Sequence, residues 1–304
     1  MDTDKCRALL KTLELGSLSA AAEDMGYTPS GISRMMSSLE YEVGFPLLIR
    51  SREGIRPTRE CEELLPCFRE LADGSIRTMQ IADSIRGIET GEVRVGIHYP
   101  SFYKPLSHLL AEFFRKYPGI KVDLLEGMSS ELASMVEKRQ ADFCIISKRE
   151  GDFDWIPLVD DPMVALVNKD NELARKEFVT PEDLCNEPYI YMFPDRPTDS
   201  SAYLEENEIE PRTVFRCHNM YSAYHMVAAD LGVTLDNSIF TSQYLPLFEE
   251  SVKMMPLESG YTVSIGIAAP HSDRLSPAAK HFIEMAVPFF VGQGLRFFIC
   301  SKRM

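Results

Sequence analysis

The chain has 304 residues, with 46 acidic against 32 basic side chains and a formal net charge of −14. That balance excludes a diffusely cationic protein that coats nucleic acid or anionic membrane without discrimination. The length suits one small domain and a larger two-part domain, and no apolar run approaches the ~18–20 residues of a membrane span.

A first helix is expected from near Thr3. A second is capped by Ser19, with Ala20, Ala21 and Ala22 small enough for close packing. Gly26 breaks it. Thr28 caps a third helix, Pro29 takes the first helical position, and Gly44 ends it. Ile32, Met36, Leu39 and Val43 recur at helical spacing as one buried stripe, while Ser30, Ser33, Arg34 and Ser37 share the opposite face. Small hydroxyls with one guanidinium fit a DNA major groove, where arginine bonds guanine or phosphate. Taken alone, this pattern is equally an ordinary amphipathic hairpin. The next residues favour the first reading. Leu47–Arg50 and Ile55–Thr58 are two extended runs about Glu53-Gly54, a hairpin wing, with Arg50, Arg52, Arg56 and Arg59 on or beside it. Such a wing suits phosphate or minor-groove contact. The candidate DNA-binding residues are Thr28, Pro29, Ser30, Ser33, Arg34, Ser37, Arg50, Arg52 and Arg56. Residues 28–59 hold five arginines against three glutamates, whereas residues 91–304 hold 21 basic against 31 acidic residues. A locally basic head on an acidic body predicts specific binding with weak non-specific affinity.

This stretch resembles the LysR-type transcriptional regulators. The resemblance rests on Gly16-Ser17-Leu18 with Ala21-Ala22, Thr28 with Ser33-Arg34, Leu39-Glu40 with Val43-Gly44, Leu47-Leu48-Ile49-Arg50, and Pro57-Thr58 with Cys61. The departures from the family pattern are Leu48 for Phe, Pro57 for Leu and Cys61 for Gly, none on the reading face. The match is specific over residues 8–65 and weaker over 91–290. It implies a winged helix-turn-helix over residues 1–58 and a linker and dimerisation helix with its hinge over 59–90. A two-lobed, periplasmic-binding-protein-like α/β effector domain follows over 91–304.

The connector from 58 to 88 carries Leu64, Phe68, Leu71, Ser75, Met79, Ala82 and Ile85 in a near-heptad seam. Leu64, Phe68, Leu71 and Met79 are the candidate dimerisation residues, because a helix between domains has little to pack against in cis. The hinge is placed from Gly87 to Gly91.

From Glu92 the pattern alternates between strand and helix. Val93–Ile97, Ile120–Leu125 and Ala141–Ile146 are strands separated by helices over Leu106–Tyr117 and Ser130–Arg139, a βαβαβ unit of an open parallel sheet. Strands at Met163–Val167, Pro188–Met192, Val214–Arg216 and Gly232–Leu235, with helices opening at Thr180 and over Tyr221–Ala229, make a second lobe. Val263–Ile267 returns as a strand before a helix over Ser276–Val287. Crossovers near Asp160-Asp161-Pro162 and Tyr261-Thr262 put residues 91–161 and 263–304 in one lobe and 162–262 in the other.

Ligands of open α/β sheets lie beyond the carboxyl ends of strands, near helix N-termini. The candidate effector contacts are Tyr99, Pro100, Ser101, Phe102, Ser129, Ser130, Phe193, Asn219 and Met220. Among them Pro100, Ser129 and the loop around Asn219 match the family's contacts by position. Pro100 removes a donor, which weakens an anion site. The aromatic and Met side chains favour a moderately apolar ligand, and Ser129 is expected to cap the helix that follows it. Each aromatic or Met is equally well an ordinary core residue.

Enzyme signatures are missing from the sequence. It has no HExxH pair, no GxGxxG, no Walker motif and no GxSxG, so neither catalytic residues, a metal nor a cofactor beyond the effector is expected. Seven cysteines, at positions 6, 61, 67, 144, 185, 217 and 300, lack metal spacing and read as reduced thiols. The first residues, MDTDKCRALL, have no signal-peptide character, so a cytoplasmic location is expected. The expected partners are near-palindromic double-stranded DNA, a small-molecule effector, a second copy in a homodimer or tetramer, and RNA polymerase, but no membrane. The competing reading is a small-molecule binding or transport-type protein whose N-terminal helices only oligomerise.

Overall fold

The computed structural model describes residues 1–51, 54–86, 89–248 and 250–291. Arg52 and Glu53 of the expected wing, Gly87 of the expected hinge, and Cys300 lie outside the described residues. The chain divides into two compact units, the first built on Met1–Gly91 and the second beginning at Glu92.

The first unit opens with α1 (Thr3–Leu15), α2 (Leu18–Met25) and α3 (Pro29–Val43). α1 starts at Thr3 as expected, while the cap of α2 differs from the expected one. Asp2 accepts from Asp4 N ahead of α1, and Ser17 rather than Ser19 accepts from Ala20 N ahead of α2. Thr28 accepts from Gly31 N and Pro29 occupies the first turn of α3. Gly26 and Gly44 end α2 and α3 at φ 70° and 89°, a left-handed turn that glycine makes without steric cost. Cys6, Leu9, Ala22, Ile32, Met36 and Leu39 form the buried centre, with Val43 partly buried at its edge.

Strands β1 (Leu48–Ser51) and β2 (Gly54–Pro57) pair antiparallel, Leu48 opposite Pro57. The hairpin is fastened to the helices at two points. The Glu40 carboxylate accepts from Leu47 N at 2.8 Å and Leu48 N at 3.3 Å, and Ile55 N donates to Gly16 O at 3.0 Å. Helix α4 (Arg59–Ile85) is capped by Thr58, whose side chain accepts from Cys61 N.

The second unit is a mixed sheet with flanking helices. Its first lobe contains β3 (Thr90–Ile97), a single 3-10 turn at Pro100–Phe102, α5 (Tyr103–Lys116), β4 (Gly119–Glu126), α6 (Ser129–Glu137) and β5 (Phe143–Ser147). β3 and β5 run parallel, Val95 beside Phe143. The next strand, β6 (Asp154–Asn168), is 15 residues long where a strand over Met163–Val167 was expected. Pro157 and Pro162 mask its first half in the sequence, since proline cannot donate to a ladder. The structure accommodates Pro157 at a register shift opposite Ile265 and Gly266.

The second lobe holds α7 (Pro181–Asn186), β7 (Tyr189–Met192), α8 (Asp199–Glu206), β8 (Thr213–Cys217), α9 (Met220–Ala228), β9 (Thr234–Asn237), α10 (Ser238–Tyr244) and β10 (Val252–Pro256). The chain returns through β11 (Thr262–Ala269) to α11 (Pro277–Phe289). β6 pairs with β11 in the first lobe and with β9 and β10 in the second, and Thr262 lies opposite Pro162 where the two long strands pass between lobes. Among the described residues no helix is long and apolar enough to cross a membrane.

Candidate nucleic-acid interface and interlobe polar site

The outward face of α3 is presented by its own caps and core stripe. Ser30, Arg34 and Ser37 are exposed and Ser33 is half-buried. The Thr28 and Ser30 hydroxyls lie 3.2 Å apart, so the cap and the first reading position are one polar unit. Arg50 and Arg56 are exposed on β1 and β2. Two of the glutamates that offset these arginines are already engaged. Glu40 holds the wing amides, and Glu42 pairs with Lys5 Nζ at 2.5 Å, which holds its carboxyl below the usual range. Glu40 and Glu42 thus serve the architecture of the unit, while Arg34, Arg50 and Arg56 are exposed at its surface, a charge pattern that suits a phosphate surface.

Helix α4 corrects the expected dimer seam. Phe68 is 2% exposed and, with Cys61, belongs to the core of the first unit, where Leu64 also packs. These side chains do have a cis partner, namely α1 and its neighbours. Leu71 at 42% and Met79 at 60% exposure, with Ile76, Ile81 and Ile85, are the large apolar side chains that α4 leaves outward.

In the second unit the expected effector residues separate into three groups. Tyr99, Ser101 and Ser129 belong to a buried polar group between lobes. Phe102 is 1% exposed and packs against Phe290, an ordinary core role. Phe193 and Met220 pack on the core of the second lobe, and exposed Asn219 spends its side chain capping α9 through Tyr221 N at 2.8 Å. Pro100 begins the 3-10 turn, and Ser130 is half-buried beside Ser129. The Ser129 hydroxyl does not cap α6. It accepts from Ser147 N at 3.2 Å, and the Ser129 and Ser147 hydroxyls lie 3.0 Å apart.

The centre of the polar group is Asp199, which no sequence pattern singled out. It stands at the start of α8 in the second lobe, yet its partners come from the first. Tyr99 donates its hydroxyl to Oδ2, Ser147 donates to Oδ1 at 2.7 Å, and Arg149 donates to Oδ1 at 2.9 Å. Burial would raise this carboxyl, but the Arg149 charge and the three hydrogen bonds outweigh it and hold Asp199 below the usual carboxylate range. The same burial and the adjacent Asp199 charge drive the Tyr99 hydroxyl well up, so it remains a donor. A second link between lobes runs from Gln243 Nε2 on α10 to Ser101 O at 2.9 Å.

Next to this group lie Asp161 on β6 and Asp236 on β9. Asp161 is fully buried, and its Oδ1 accepts from Ser238 Oγ at 2.8 Å and Ile239 N at 2.9 Å. Burial pushes Asp161 up to about 6, with Asp199 adding to the rise. Burial pushes Asp236 to about 7, with Asp161 and Asp199 again raising it. Three of the expected effector residues, Tyr99, Ser101 and Ser129, thus lie in or beside a strongly polar, acidic group rather than an apolar one. Among the described residues no group of histidine, cysteine and carboxylate side chains could hold a metal ion. The buried Cys61 and Cys144 thiols are pushed up to about 11 and about 12, so they are not reactive thiolates.

Two family models cover nearly the whole of this architecture. "Bacterial regulatory helix-turn-helix protein, lysR family" matches residues 3–62, and "LysR substrate binding domain" matches residues 86–290. The chain belongs to the LysR family of transcriptional regulators. It is therefore a DNA-binding regulator with a C-terminal effector-binding domain, and the transport-type reading falls away. The Bacillus subtilis protein YvbU, an HTH-type transcriptional regulator, is 26% identical over 95% of this chain and 99% of its own length. Full-length OxyR from Pseudomonas aeruginosa shares the fold, with a TM-score of 0.74 and 19% identity over 95% of this chain and 94% of that one. CbnR, solved full-length with its target DNA, has a TM-score of 0.58 and 17% identity over 95% of this chain and all of its own.

Arg149 follows a strand's carboxyl end and Asp161 marks a crossover in the sequence, though neither is expected there as a contact of the LysR-family regulator's site, and Asp199 and Asp236 are not singled out. One local signal was present for Asp199. Thr198 and Ser201 cap α8 reciprocally, and a Thr-x-x-Ser pair before a helix marks a start.

Proposed function

We propose that this regulator reads its operator with Ser30, Ser33, Arg34 and Ser37 of α3 and grips the flanking backbone with Arg50 and Arg56 of the wing. The observation that carries this is the exposed Arg34 on a helix capped at both ends, beside a basic wing whose neighbouring glutamates are already engaged. CbnR was solved in complex with its target DNA, and the same docking suits this head. We further propose a homodimer through the outward face of α4, hence a near-palindromic site with half-sites about one helical turn or a multiple apart. The cytoplasm is the compartment where such a DNA partner is met, and RNA polymerase is the partner through which bound regulator acts. A small molecule bound between the lobes changes operator affinity through its different affinity for two arrangements of the lobes, typically by about 5–150-fold.

The test is selection of DNA fragments by the purified full chain, followed by gel-shift titration of the selected site. Arg34→Ala is expected to weaken binding by about 1–3 kcal/mol, the range for a lost bidentate base contact. Undiminished affinity would remove α3 as the reader.

A further inference from the structure

The hydrogen-bond inventory of the interlobe site is lopsided. The donors that the first lobe sends toward the second, from Tyr99, Ser147 and Arg149, all end on the chain's own Asp199. An incoming carboxylate or phosphate would meet those donors occupied and a buried negative charge among them. Among the described residues of this site, the one charged group left with unused capacity is an acceptor. Asp161 Oδ2 is buried with no hydrogen-bond partner, and so is Ser101 Oγ, which belongs to the turn that α10 holds through Gln243. Among these groups the unpartnered donor is Asn237 Nδ2, two residues before the Ile239 amide that binds Asp161. A buried carboxylate oxygen without a donor costs its full desolvation, so such groups are kept where something supplies the donor.

The charged groups around Asp161 all carry its own sign or are already paired. Asp199 comes from α8 and Asp236 from β9, α10 offers only the Ser238 and Ile239 donors, and the residue opposite on β11 is Val263. Arg149 is bound to Asp199.

We infer that the interlobe site of this regulator takes an organic cation, a primary amine whose ammonium group donates to Asp161 Oδ2. The inference rests on the regulator reading above and adds the chemical class of its effector. A compact ammonium has three donors and suits a buried carboxylate oxygen better than a planar aromatic or a dicarboxylate would.

The experiment is calorimetric titration and thermal melting of the full chain with ethylamine, 1,4-diaminobutane and agmatine, with succinate as the anionic counterpart of equal chain length. At pH 8 at least one amine is expected to bind saturably and raise the melting temperature, while succinate does neither. The affinity is expected to drop at least tenfold at pH 5, where Asp161 and Asp236 are protonated. Asp161→Asn is expected to abolish the effect, and Glu205→Gln, on α8 outside this site, to leave it intact. Titration of the unaltered chain at two pH values decides between the outcomes even if the Asp161 variant folds poorly. Binding of succinate in place of the amines, or absence of binding by all three amines, overturns the proposal. So does an amine effect indifferent both to pH and to Asp161, which is attraction to a chain of net charge −14 and nothing more. Operator selection by the same preparation reports separately on the regulator reading, since a chain that selects DNA but ignores amines loses only the proposed effector class.

Discussion

Replacing Asp199 by Asn tests whether one carboxylate holds the two lobes together. The amide oxygen can still accept from Ser147, and Tyr99 can turn its hydroxyl to accept from the new amide. What disappears is the charge that meets Arg149 at 2.9 Å. A fully buried ion pair broken on one side costs about 3–5 kcal/mol, but the Arg149 side chain is 24% exposed and can turn to water. The loss is then that of a single charge-assisted hydrogen bond, about 2 kcal/mol. For an effector domain of this size that lowers the melting temperature by about 4–8 °C. The sign with pH follows from the lowered Asp199 carboxyl. Its stabilisation is present above the unfolded value near 4 and disappears as pH falls through the folded one, so the gap between variant and parent is full at pH 8 and narrows below about pH 4. Scanning calorimetry of both full chains at several pH values reads this directly. Equal melting temperatures at pH 8 would refute the idea that Asp199 closes the lobes.

Other outcomes follow from the same geometry. Arg56→Ala is expected to weaken all DNA sequences alike and reduce the slope of log affinity against log salt by about 1, checked by titration at several salt concentrations. Phe68→Ala is expected to destabilise the first unit by about 3–5 kcal/mol, read by denaturant unfolding, because Phe68 is core. Leu71→Asp with Met79→Asp is expected to give a folded monomer in sedimentation, because those side chains face outward. Asp161 is raised to about 6 by burial, so its contribution to stability is present at low pH and is lost as pH rises through that value. Asp161→Asn without ligand is expected to melt like the parent only below about pH 4, to rise above it from there to about pH 6, and to stay above it at pH 8.

The reading head was legible because its signals are local. Thr28, Pro29, Gly44 and the stripe from Ile32 to Val43 lie within one helix and act over three or four residues. The interlobe site is not local. Tyr99 and Asp199 are 100 positions apart, and Ser147 and Asp199 are 52 apart. They meet only because β6 and β11 carry the chain from one lobe to the other and back. Asp199 and Ser238 also start helices of eight and seven residues, too short to show an apolar period. In a chain with 46 acidic residues nothing in the sequence distinguishes the carboxylates that are buried from those that keep the surface wet. Leu64 and Phe68 were misassigned for a related reason. A heptad-like stripe shows that a helix face is covered but not whether the cover is a second copy or the chain's own α1.

That shared use of α4 has a mechanical consequence. Its first turns pack into the reading unit through Cys61, Leu64 and Phe68, so that end of the helix moves with the reading head. A helix of 27 residues is about 40 Å long. Tilting such a helix by about 5° at its far end carries the head sideways by roughly 3.5 Å, about one step along a DNA strand. Small angular changes at the outward end of α4 are thus amplified into whole base-pair shifts where the operator is read.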